Sequence, residues 1–118
     1  MIDDQRYGLG RMQYNNGRVY FGEWQNDLRD GHGIEIYSNG NRFRGSFKRG
    51  KADGFGIYFW TNGEVYRGFW IEGVKQGQGI WTSPAGDSYE GYWNDSKAHG
   101  LGKHIWTSRD IYEGEWVK

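Results

Sequence analysis

The stretch Gly54-Phe55-Gly56-Ile57-Tyr58-Phe59-Trp60-Thr61-Asn62-Gly63 decides how this chain folds. Two glycines one residue apart, beside an apolar run, invite comparison with a loop that cradles phosphate. Such a loop needs G-x-G-x-x-G or G-x-x-x-x-G-K-[ST], so that the chain turns tightly, backbone N–H groups reach the phosphate and a helix opens behind them. Phe59 stands where the third glycine belongs, and the lysine-bearing form occurs nowhere. The residues after Gly56 are β-branched and aromatic and close on Asn62-Gly63, the composition of a strand that ends in a turn.

The same Gly-x-Gly recurs at Gly8/Gly10, Gly31/Gly33, Gly77/Gly79 and Gly100/Gly102, always 23 residues from its neighbour. An aromatic column keeps the same period, at Tyr20, Phe43, Tyr66, Tyr89 and Tyr112. Two residues on comes Gly22, Gly45, Gly68, Gly91 or Gly114, and two further on Trp24, Phe47, Trp70, Trp93 or Trp116. A fixed period of this size signals one supersecondary unit stacked on copies of itself.

Composition narrows the function. The 15 basic and 15 acidic residues of this 118-residue chain cancel, whereas a nucleic-acid binder needs a basic stripe against phosphates; no nucleic-acid partner is expected. Cysteine is absent, which excludes disulfides and thiolate metal sites. No apolar run approaches the roughly 18 residues of a membrane helix. Twenty-one glycines would suggest disorder alone, but seven Trp, nine Tyr and six Phe accompany them, so the chain is expected to fold around rings and glycines.

Within each unit the residues after Gly-x-Gly suit a pleated sheet, and a turn comes next at Asn16-Gly17, Asn39-Gly40 and Asn62-Gly63. Ala85-Gly86 keeps only the glycine and Ser108-Arg109 neither residue, so the last hairpin is expected to turn differently. The aromatic-x-Gly-x-aromatic segment returns. The expected fold is all-β: a single-layer, curved and twisted antiparallel sheet of five tandem β-hairpins, about ten strands. The hairpins fall at about 7–26, 30–49, 53–72, 76–95 and 99–118, with three-residue connections, after an N-terminal extension over 1–6. Repeating glycines are expected to leave room for rings of the adjacent strand, in place of a second layer.

If Asn-Gly are the two loop residues, Tyr66 lies across from Phe59, and Ile57 from Gly68. One face then collects the two aromatic columns with Ile34, Ile36, Ile57, Phe59, Ile80 and Ile105. A three-residue bulged loop would instead shift the register and swap the faces.

A 23-residue unit of aromatic-x-Gly-x-aromatic, polar turn, Gly-x-Gly and short strand closely resembles the MORN repeat, the membrane occupation and recognition nexus. Tyr89 to Trp106 is a near-ideal instance, and the resemblance spans residues 7 to 118, with Asp27 and Ser96 standing where Gly50 and Gly73 sit in other units. The resemblance implies a curved single-layer sheet without catalytic machinery, and a role in binding or assembly. It implies a cytoplasmic place, associated with cytoskeleton or membrane.

Three functional readings compete on the residues themselves. His32, His99 and His104 lie in different columns without ligand spacing, and no elbow presents a nucleophile; no metal, cofactor or catalytic residue is expected. The inter-hairpin turns carry Arg29, Lys51, Lys75 and Lys97, expected to align along one edge as a stripe for anionic phospholipid, although Asp27, Asp30, Asp53 and Asp95 lie close by. The third reading rests on surplus rings. In the two-residue-turn register, Tyr58, Trp60, Phe69, Trp81, Tyr92 and Trp106 share the second face with Arg44 and Arg67 nearby, and exposed rings with arginine make interaction hot spots. The leading expectation is therefore a scaffold that lays a protein helix or peptide along the sheet. The alternative is a phosphoinositide adaptor, or the regulatory array of a lipid kinase. Open sheet ends or paired apolar faces would give a homodimer.

Overall fold

The computed structural model describes residues 5–117. Residues 1–4, most of the expected N-terminal extension, lie outside it, as does Lys118 at the end of the fifth hairpin. Ten strands succeed one another in chain order: β1 (Gly8–Gln13), β2 (Val19–Gln25), β3 (Leu28–Ile36), β4 (Arg42–Lys48), β5 (Lys51–Phe59), β6 (Val65–Ile71), β7 (Val74–Thr82), β8 (Ser88–Asn94), β9 (Lys97–Ile105) and β10 (Ile111–Trp116). Each pairs antiparallel with its chain neighbours in a single open sheet. The resulting body is elongated, 62 × 25 × 19 Å, because no second layer stacks upon the first.

The turns reverse the expected assignment. Asn-Gly does not form a two-residue loop. In the β5–β6 loop Trp60 N donates to Glu64 O at 3.0 Å and Gly63 N to Trp60 O at 3.1 Å, which is a tight turn closed by a bulge glycine. Gly63 alone is left-handed, with φ 96°. Asn62 instead uses its side chain, whose Oδ1 accepts the Glu64 N–H at 2.9 Å, and Asn16 and Asn39 do the same at 3.0 Å. The two-residue turns with positive φ at both positions lie between hairpins, at Asn26-Asp27, Arg49-Gly50, Glu72-Gly73 and Asp95-Ser96. The connections are thus one residue shorter than expected. The last hairpin is a further correction: Trp106 N donates to Asp110 O and Arg109 N to Trp106 O as in the other loops, and Arg109 adopts φ 74° where its counterparts are glycines.

The longer loop moves the register by one residue, and with period-two side chains that exchanges the faces. Tyr66 lies across from Tyr58, Phe59 across from Val65, and Gly56 across from Gly68. Ile34, Ile36, Ile57, Phe59, Ile80 and Ile105 therefore leave the face of the aromatic columns for the opposite one.

The sequence assigns Gly54 and Gly56 alike to seating rings, and the structure corrects this for Gly54, where an added Cβ would meet the Ser46 side chain and no ring. Gly54 has φ 98°, as its periodic equivalents Gly31 and Gly77 are also left-handed, and the ladder is irregular just beside it. Gly56 belongs to a row that crosses the entire sheet: Gly10, Gly22, Gly33, Gly45, Gly56, Gly68, Gly79, Gly91, Gly102 and Gly114 pair in succession, one from each strand. The row lies beneath rings. A Cβ on Gly79 would come within 2.5 Å of Tyr66 Cε1, and one on Gly33, Gly56 or Gly102 equally close to Tyr20, Phe43 or Tyr89. Glycine here is a seat for the ring of the preceding strand, as the sequence suggested.

Each seated tyrosine also donates its hydroxyl to the carbonyl three residues ahead, at 3.0 Å for Tyr20 to Glu23 and 3.2 Å for Tyr66 to Phe69. Edge-to-face contacts then link each hairpin to the next, with ring centroids 5.1 Å apart for Tyr20–Phe47, 5.2 Å for Phe43–Trp70 and 5.1 Å for Tyr66–Trp93. Such a pair contributes about 0.5–1.5 kcal/mol beyond its buried area. Tyr20, Phe43 and Tyr66 are fully buried, so one layer makes a core by folding its own rings onto its own backbone.

Candidate functional site

The sheet has a front face, where rings cover the glycine row, and a back face. Tyr58 and Trp81 point to the front, directly across from the framework tyrosines Tyr66 and Tyr89. Tyr58 packs on Trp60 at 4.7 Å, and Trp106 stacks on His104 at 4.2 Å. The register thus divides the six surplus rings. Tyr58, Trp60, Trp81 and Trp106 extend the ring layer of the front, whereas Phe69 and Tyr92 stand on the back, 48% and 50% exposed. Arg44 and Arg67 stay with the latter two, each paired across strands with Ile57.

The cationic stripe also divides. Lys51 and Lys97 are exposed, but Arg29 and Lys75 sit one register position further along and turn over the front face. Arg29 lies over the Tyr20 and Phe47 rings and bridges to Glu35 at 2.9 Å; Arg18 pairs with the same carboxylate, which is 3% exposed. The Lys75 ammonium stands over four rings, 5.3 Å from Trp60, 5.4 Å from Tyr66, 5.6 Å from Trp93 and 5.7 Å from Trp70. Burial pushes its pKa down, and the rings supply the attraction that a carboxylate would otherwise give. A single aligned edge of four cations does not form, because alternate units place their cation on different strand positions.

Sequence reasoning passed over a ladder of polar pairs 17 residues apart on the front face. Arg18 pairs with Glu35, Asn41 Nδ2 donates to Tyr58 Oη at 3.1 Å, and Trp81 Nε1 donates to Glu64 Oε1 at 2.9 Å. The signal was present, since a loop-end column that changes character does so together with a ring-row column in the next unit.

The back face carries the candidate site. Two rows of side chains border the glycine row there, and shallow hollows lie between them. The first, about 550 Å³, is lined by Leu9, Phe21, Ile34, Arg44, Phe55 and Ile57. A smaller hollow continues from Phe55 past Arg67, Phe69 and Ile80 to Glu90, and a third runs from Glu90 past Tyr92 and Leu101 to Glu113. Exposed rings and isoleucines, rimmed by arginine and glutamate, make a surface that can bury apolar side chains while steering charge. Among the described residues no three His, Asp or Glu side chains gather as a metal-binding group.

The family model for the MORN repeat matches four consecutive stretches, residues 20–42, 43–65, 66–88 and 89–111. No curated protein matches the chain. The repeats of this family are generally non-catalytic and commonly mediate protein or membrane interaction. Ring column, glycine row and 23-residue period coincide with those four matches, and the chain belongs to the MORN repeat family.

Proposed function

We propose that this chain is a non-catalytic scaffold, at work in the cytoplasm, whose back face docks protein. One observation carries the reading: the fold consumes the rings of the front, yet the back keeps Phe21, Phe55, Phe69 and Tyr92 exposed beside Arg44 and Arg67, which no framework contact requires. A few such rings with an arginine dominate binding energy at protein interfaces. The anionic-lipid reading has less support, since two of its four cations are held over the ring layer.

The test compares two sets of variants on the immobilised chain. Phe55→Ala with Phe69→Ala is expected to abolish capture of protein partners while leaving the circular dichroism spectrum unchanged. Lys51→Glu with Lys97→Glu is expected to leave capture intact, and vesicles containing phosphoinositide are not expected to carry the chain in flotation. Flotation that depends on Lys51 and Lys97, with capture indifferent to the phenylalanines, would overturn the reading.

A further inference from the structure

The back face holds one column whose charge reverses along the sheet. At successive repeats it reads Phe21, Arg44, Arg67, Glu90 and Glu113, on β2, β4, β6, β8 and β10. Between its members, on the same cross-sheet row, lie Ile34, Ile57, Ile80 and Lys103. Arg44, Arg67, Glu90 and Glu113 are all exposed, and among the described residues none of them takes part in an ion pair. Two arginines and then two glutamates, at equal spacing, are antisymmetric about Ile80 on β7.

A two-fold interface requires that a surface complement itself when rotated. Rotation about an axis along β7, with the back faces of two copies opposed, keeps each row and reverses the order of strands. Arg67 then meets Glu90 of the second copy, Arg44 meets its Glu113, and Ile80 meets Ile80. The neighbouring row obeys the same operation: Phe69 meets Tyr92, Phe55 meets Leu101, and Gln78 meets Gln78. Lys103 falls against Ile57, where its methylene stem covers the isoleucine while its cross-strand neighbours Glu90 and Glu113 flank the ammonium.

We infer that the back face from β4 to β10 is a self-complementary interface, which pairs with a second copy of this chain in antiparallel, two-fold fashion. This inference rests on the docking role of the back face and names its occupant. Two twisted sheets packed face to face lie about 10 Å apart and cross at about 30°, so the pairs nearest β7 make the closest contacts. Only the β1–β3 side of the first hollow, at Leu9, Phe21 and Ile34, falls outside the paired region and stays open to another partner; its β4–β5 side, at Arg44, Phe55 and Ile57, is covered by the second copy.

Charge reversal tests the pairing through its own rescue. Sedimentation equilibrium of the unmodified chain is expected to show dimers in the micromolar range. Arg67→Glu or Glu90→Arg alone is expected to weaken dimerisation about tenfold or more, and the double variant to recover to within about threefold of the parent. The absence of native cysteine adds a second readout. Ile80→Cys, on the axis, is expected to be bridged to its mate by a short bismaleimide, and Ile34→Cys is not. A chain that stays monomeric, a dimer indifferent to either reversal, or bridging at position 34 in place of 80 would overturn the inference. A monomer that still loses captured partners on Phe69→Ala would overturn the second copy alone; if capture is also unchanged, the docking reading falls with it.

Discussion

The front of this sheet carries most of its rings and the back only a few, and the two faces use them oppositely. On the front, Tyr66 lies flat over Gly79, bonds the Phe69 carbonyl and meets Trp70 and Trp93 edge to face. On the back, Phe69 is half exposed and touches Phe55 at 5.7 Å. The difference is the glycine row. A strand residue two positions along normally blocks a ring from lying down on the sheet; where that residue has no side chain on both strands, the ring reaches backbone and leaves water. The back face has no such row of gaps pointing toward it, so its rings stand up.

The comparison predicts its largest effect at the seats. Tyr66→Ala is expected to cost ~3–5 kcal/mol in a urea titration, because a buried ring leaves a void that a single layer cannot fill. Phe69→Ala on the back is expected to stay below about 1 kcal/mol, as exposed substitutions do. Comparable losses at the two positions would erase the distinction between faces.

The next effect is on pH. Burial pushes the hydroxyls of Tyr20 and Tyr66 up to about 12 from 10.0, so the unfolded chain releases these protons first. The stability they contribute is complete below pH 10.0 and is lost as pH rises toward about 12. Lys75 acts in the other direction: its depressed pKa makes stability rise with pH up to 10.5 and change no further above it. Alkaline unfolding tracked by tryptophan fluorescence is expected to begin above pH 10.0, and Tyr20→Phe with Tyr66→Phe is expected to move it upward. An unmoved transition would place the destabilising ionisation elsewhere.

The smallest expected effect lies in the loops that bound both faces. Arg109 occupies the left-handed position at φ 74° that glycine fills in the other hairpins, and Arg109→Gly is expected to stabilise by ~1 kcal/mol. Gly63→Ala is expected to destabilise, since φ is 96° and the new Cβ would meet Pro84 Cγ at 2.7 Å. Thermal melts of the two variants that shift in the same direction would show that loop conformation does not govern these hairpins.

The architecture was legible from the period alone, because ring and glycine columns recur without insertion. The use of Gly56 as a ring seat was legible too, from Gly-x-aromatic patterning across adjacent strands. The faces were not. They hang on whether Asn62-Gly63 is a two- or three-residue loop, and Asn62 can either adopt positive φ or accept a hydrogen bond from the Glu64 N–H; it does the second. One residue of register then moved Tyr58 and Trp81 into the ring layer and brought Ile57 and Ile80 out beside Arg67. Lys75 was illegible for a related reason, since a cation in a turn reads as solvated unless one knows that four rings converge above it.

The claim that rings are seated on glycines is tested most directly by a double-mutant cycle at Tyr66 and Gly79, read by urea unfolding. Gly79→Ala in the parent is expected to cost ~1–3 kcal/mol through overpacking against the ring. In the Tyr66→Ala background most of that cost is expected to vanish, which gives a coupling of ~1–3 kcal/mol, while the control cycle of Phe69 with Gly79 is expected to be additive within ~0.5 kcal/mol. Additive losses at Tyr66 and Gly79 would mean that the ring and the glycine do not depend on each other, and would contradict the account.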